Sequence, residues 1–288
     1  MTLSEWLNQS PDKELFHYTT PEGLIGIIES GRLWATIIHH LNDEKEFAHA
    51  IEVFNAEIFQ ATKDSETEQS SRPGTIGSLM REKLEQVASI HIAVASFSER
   101  GDLLSQWRGY CRQGGFSLGF KPETMLGLAT ANGFQLGRCI YDPNAQHEIA
   151  RNIVTGILGS YRRQAQKQES EVKRIQEEHS VLLLQNFLNF AAIFKNHSFS
   201  EEVEWRLISR APVSDPRLCV RPTSTRLVPY LEFDLTKTTG RIEMETLFVG
   251  PANNAKLAAQ AANLVRFAFK DKVNLNKVRP STVPLRVS

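Results

Sequence analysis

Apolar residues along this chain recur at two spacings, and the switches between them mark out the elements. Glu14 to Tyr18 is a short, largely apolar run ahead of Thr19-Thr20-Pro21-Glu22, which predicts a strand entering a helix. Thr20 fits the N-cap and Pro21 the first helical position, with Gly23 in the place where a full capping box has Glu. Leu24, Ile27 and Ile28 then recur at helical spacing to about Ser30, and Gly31 supplies a left-handed stop. Leu33 to Ile38 reads as a strand. Asp43 with Glu46 fits a capping box for a helix to about Ala61, and the polar stretch Thr62 to Thr75 reads as a loop. A helix near Ile76 to Ala88 precedes the apolar run Ile90 to Phe97, a central strand.

Gly114-Gly115 separates that run from a second strand, Phe116 to Phe120, and Cys139 to Tyr141 reads as a short strand. Ala145 to Phe194 is helical, with Arg162, Arg163, Lys167, Glu169, Glu171, Lys173, Arg174, Glu177 and Glu178 in its middle. Mixed signs of this kind belong to a solvated helix face or, more rarely, to a surface for a protein partner over residues 160–180. Val203 to Ser209, Tyr230 to Asp234 and Ile242 to Val249 follow as strands, and Gly250-Pro251 opens an amphipathic helix from about Asn254 to Lys270. There is no internal repeat and no regular βαβ period. The pattern therefore predicts a single α+β domain over residues 1–288, with a helical insertion at about 145–195.

A chain of 288 residues buries a core without disulfide staples, and 33 basic against 33 acidic residues remove the field that drives non-specific nucleic-acid or anionic-membrane binding. The first residues lack the basic and apolar regions of a secretory signal. Val181 to Phe194 is interrupted by Gln185, Asn186 and Asn189 and is too short to span a bilayer, so the expectation is a cytoplasmic protein. Cys111, Cys139 and Cys219 form no CxxC pair and read as small buried side chains. Walker, GxGxxG, GxSxG and HExxH signatures are missing.

Three segments remain as candidate chemistry. His17 and Tyr18 lie on a strand that ends at a helix N-terminus, where an imidazole meets a ligand hydroxyl and free N–H groups suit phosphate; the bland alternative is a core histidine. Ser96 and Ser98 precede Gln106-Trp107-Arg108-Gly109-Tyr110, in which Arg108 offers a fork for phosphate or carboxylate and Trp107 or Tyr110 a stacking face, unless these simply pack a loop. Glu202 and Glu204 share one face of a strand starting near Val203. Two such carboxylates repel, so one has a raised pKa unless Arg108 or Arg206 lies close, and the pair is the chemistry of glycosidic cleavage or merely a solvated edge. His39-His40 with Asp43 and Glu46 does not make a metal site, because adjacent histidines on a strand face opposite ways and both acids act as caps. Gly250-Pro251-Ala252-Asn253 reads as a strand-to-helix turn rather than an anion site.

Taken together, His17-Tyr18-Thr19, Gly31-Arg32-Leu33-Trp34, Leu41-Asn42-Asp43, Ser96-Phe97-Ser98, Gln106 to Tyr110 and Glu202 to Arg206 resemble the bacterial domain-of-unknown-function family 2971. That likeness extends to Val249-Gly250-Pro251 and Ser281 to Arg286. More distantly, a first-strand His, a Ser-x-Ser strand and a late Glu-x-Glu resemble the ADP-ribosyltransferase superfamily. This second resemblance implies a split, mostly antiparallel sheet gripping NAD, with Glu204 catalytic, Glu202 orienting the acceptor, and His17 and Ser98 holding the dinucleotide. It departs in lacking a second-strand tyrosine, so that Trp34 or Tyr110 has to serve, and in the long charged helix. The resulting expectation is an enzyme that uses NAD to modify a macromolecular acceptor, or hydrolyses it, as a toxin or phage-defence effector would. The rivals are a non-catalytic ligand- or protein-binding domain built on a buried polar network and, without assembled metal ligands, a nuclease or phosphoesterase.

Overall fold

A computed structural model describes residues 2–7, 9–40, 44–63, 75–86, 91–111, 114–212, 214–223, 225–252 and 254–284. A short helix α1 (Leu3–Leu7) precedes β1 (Leu15–Thr19) and α2 (Pro21–Ser30). Thr20 Oγ1 accepts the Gly23 N–H at 3.1 Å, Pro21 sits in the first turn, and Gly31 closes α2 at φ 70°, as the sequence predicts. Next come β2 (Arg32–Ile37), α3 (Glu44–Lys63), α4 (Ile76–Glu85), β3 (His91–Ser98), α5 (Leu104–Tyr110) and β4 (Phe116–Phe120). They are followed by α6 (Pro122–Asn132), β5 (Gln135–Arg138), α7 (Pro143–Lys167), α8 (Val172–Phe190) and β6 (Glu204–Ala211). The chain ends with β7 (Cys219–Pro222), β8 (Leu227–Asp234), β9 (Ile242–Val249), α9 (Ala255–Asn263), α10 (Val265–Ala268) and β10 (Val273–Pro280).

The strands form one sheet ordered β10-β9-β4-β1-β3-β2-β8-β7, with β6 pairing to β3 and β5 to β6; β9 and β10 run parallel and the other pairs antiparallel. A strand has two edges. Along His91–Ser98, β6 takes one edge of β3 completely. Therefore β1, touching at Phe16↔Ser98, and β2, touching at Thr36↔Val94 and Ile37↔Ala93, must share the other. Between those contacts the sheet is split.

Alternation assigns the two faces. Ala93, Ala95, Phe97, Trp205 and Leu207 join the core built with α2, α6 and α9. Ile92, Val94 and Ile208 face the opposite way into a second core with α3, α4, α7 and α8. Phe16 and Tyr18 pack with Trp107 of α5.

The structure corrects several expectations. Gln106 to Tyr110 is helical rather than a loop. The short strand lies at Gln135–Arg138 instead of Cys139 to Tyr141, because β6 begins at Glu204 and gives later residues little to pair with; Cys139 N–H reaches Glu204 O at 2.9 Å, and Ile140 makes an isolated bridge to Phe194. His39 and His40 belong to a 3-10 turn, not a strand. The last predicted helix breaks at Leu264 into α9 and α10. In the charged segment, Arg174 pairs with Glu171 and Glu178, and Lys83 of α4 with Glu177 at 2.6 Å. Asp43, Ile90, Asn253, Arg286, most of the polar stretch after Lys63 and the side chains of Glu46, Lys167 and Glu169 lie outside the described residues. Among the described residues no helix is long and apolar enough to cross a membrane.

Candidate functional site

The split opens into a cavity of about 760 Å³, within the range of small-ligand sites. Glu22, Gly23, Gly26 and Ser30 of α2 border one side, and a Cβ on Gly23 would lie 2.1 Å from Thr19 Oγ1, so a side chain there would require that hydroxyl to turn away. On the other side, the cross-strand pairs Ser98↔Glu204 and Ser96↔Arg206 put two hydroxyls and an ion pair on one face.

Glu202 and Glu204 do not share a strand. Glu202 ends a 3-10 turn (His197–Glu202), and Val203 takes a left-handed conformation at φ 43° before β6 starts. A β-branched residue there is a true outlier, with strain of about 1–3 kcal/mol. The bend brings both carboxylates to Lys195. Its Nζ stands 2.5 Å from Glu204 Oε2 and 2.7 Å from Glu202 Oε2, with the Phe199 ring 5.1 Å away. Arg206 Nε donates to Glu204 Oε1 at 2.8 Å, while its Nη1 is tied to Ala192 O. Burial alone would raise the Glu204 carboxyl; Arg206 and Lys195 outweigh it and hold that group well below the ordinary carboxylate range. The repulsion expected between the two acids is thus cancelled by two cations, and Lys195 rather than Arg108 is the second of them.

His17 projects to the α2 side of the split, its ring 5.5 Å from that of Phe97. Its Nδ1 lies 3.0 Å from Ser96 O and must donate, which leaves Nε2 as a bare acceptor in the neutral ring. Burial is the main influence on this imidazole and pushes its pKa down, against the Ser96 carbonyl. His17, Ser96, Ser98, Glu202, Glu204 and Tyr110 therefore border one cavity, together with Gln106 of the same helix as Tyr110.

Other predicted residues serve differently. Trp107 is fully buried and donates Nε1–H to Asp102 at 2.7 Å, so it is a core residue rather than a stacking face for a base. Arg108 is exposed and lies outside the cavity lining. Tyr18 lies along the wall, but its hydroxyl donates to Arg100 O and accepts from Leu103 N–H. Ser98 Oγ donates to Glu202 O at 2.6 Å and accepts from Arg100 N–H, so it fastens the carboxylate turn to β3. Lys195 escaped the sequence reading; its signal is a lysine closing the apolar run that ends at Phe194, since a buried ammonium demands carboxylates. Tyr141 was missed too, and its hydroxyl accepts the Glu204 N–H at 2.8 Å.

No curated protein and no solved structure matches the chain. Residues 106–207, which run from Gln106 of α5 through Lys195 to Leu207 of β6, match the family model described as a protein of unknown function, DUF2971.

Proposed function

We propose that the cavity binds NAD and that the protein breaks the nicotinamide–ribose bond, passing ADP-ribose to water or to a macromolecular acceptor in the cytoplasm. The observation that carries this reading is the split itself: one gap between β1 and β2 gathers a neutral histidine, two serines and an ionised glutamate around one ligand-sized space. In the reaction, the bonding pair leaves with nicotinamide and positive charge develops on the ribose carbon. The attacking hydroxyl or water closes the new bond and gives up its proton. An anionic Glu204 stabilises that developing cation. His17 Nε2 accepts a ribose hydroxyl, and Glu202, steered by Lys195, faces the acceptor. The roles of toxin or defence effector come from the resemblance alone.

A second reading, a non-catalytic ligand-binding domain, is favoured by the fact that both Glu204 oxygens already bond to Lys195 and Arg206. Nicotinamide release separates the two. Glu204→Gln is expected to lower it at least about a hundredfold while NAD still raises the melting temperature, with Glu204→Asp as a better-folding control. A wild-type protein that neither releases nicotinamide nor gains stability from NAD sinks the enzyme reading.

A further inference from the structure

On the far side of the split, β2, β8 and β7 carry a second group of cavity residues. Cross-strand pairing puts Trp34, Thr36, Tyr230 and Arg221 on the same sheet face as Glu204. Trp34 is 48 % exposed, with the Tyr230 ring 5.0 Å away and tilted by 40°. The Arg221 guanidinium stands 5.0 Å from the Trp34 ring and donates from Nη2 to Thr36 Oγ1 at 3.1 Å. Arg32, Lys195 and Arg206, the other lysine and arginines of the cavity, each have a carboxylate partner. Arg221 makes no ion pair among the described residues, and its buried Nε has no hydrogen-bond partner. Burial also weighs against its charge. A half-buried cation with an idle donor, stacked beside a half-exposed indole, suits a ligand that is both planar and anionic.

We propose that Arg221 and Trp34 form a second subsite that takes a nucleoside diphosphate, the base against the indole and the phosphates against the guanidinium. It deepens the NAD reading and rests on it only for the choice of ligand. The span is suitable: Arg221 reaches back from β7 to Thr36 of β2, two strand spacings from β6 and, by its register with Val94, four residues along the strand from Glu204, so the two positions lie about 16 Å apart, within the length of an extended dinucleotide.

Calorimetric titration of the full chain with ADP, adenosine and pyrophosphate tests it. Arg221→Ala is expected to weaken ADP at least about tenfold and leave adenosine unchanged, and Arg221→Lys to recover only part of the loss. Trp34→Ala is expected to weaken ADP and adenosine but not pyrophosphate. Equal ADP affinity in the wild type and Arg221→Ala overturns the subsite, as does absence of ADP binding to the wild type. So does pyrophosphate binding as tightly as ADP. Arg221-dependent ADP binding in a protein that never cleaves NAD would leave the subsite standing and remove the glycosidic reading instead.

Discussion

Lys195 is 3 % exposed, a setting in which an ammonium survives only with carboxylates beside it. It balances Glu202 and Glu204, so Lys195→Met leaves two adjacent acids with Arg206 as the remaining cation. The expected cost is about 3 kcal/mol, much of it restored in Lys195→Met/Glu202→Gln, where one negative charge goes as well; urea denaturation of the wild type and the two variants measures it. At this scale the sequence showed the acids and one of their neutralisers, Arg206, but not Lys195, because the residue closing an apolar run gives no sign of which strand it will meet. Val203 was equally hidden: nothing in its side chain announces a left-handed backbone, which tertiary packing imposes. Trp107 was misread for the opposite reason. An indole beside Arg and Tyr looks like a stacking face until Asp102 is seen to take its N–H.

The element carrying Gln106 and Tyr110 into the cavity, α5, is short and has no side-chain N-cap. It is held from outside. Asp102 accepts Trp107 Nε1–H, Ser281 Oγ–H at 2.5 Å, and the Thr282 N–H and Oγ1–H at 2.8 and 2.9 Å, which straps the segment after β10 across the helix. Asp102→Ala is expected to cost about 2–3 kcal/mol and to speed hydrogen exchange in α5 and at residues 281–283 far more than in α7 and α8. Elements with strong periodicity or caps were legible before folding, among them α2 and β9. The strands that were missed, β7 and β10, lie at the two ends of the strand order, where the alternation of Val273 and Leu275 with Asn and Lys is too brief to stand out; the helices α1 and α6 were missed as well, α6 despite Pro122 at its start and Gly133 at its end. The split itself lay beyond local pattern, since it follows from three strands competing for the two edges of β3.

For the whole molecule, a formal charge of zero hides a cavity in which charge is sharply organised, and acid should expose this. The folded-state pKa of His17 is lowered from 6.5, so the unfolded chain takes up the proton first; the stability this group contributes is full above pH 6.5 and is lost as pH falls. Glu204, lowered from 4.5, adds a second loss below that value. Urea midpoints measured between pH 7.5 and 5 are expected to decline in the wild type and to flatten in His17→Asn, whose amide can still donate to Ser96 O. That carbonyl carries a wider consequence. In the split, β3 turns main-chain groups rather than only side chains toward the ligand space, and no alanine substitution deletes a main-chain group. An alanine scan of β3 will therefore understate how much of this wall recognises its ligand, and a thioamide or ester replacement at position 96 would reveal what the scan leaves out.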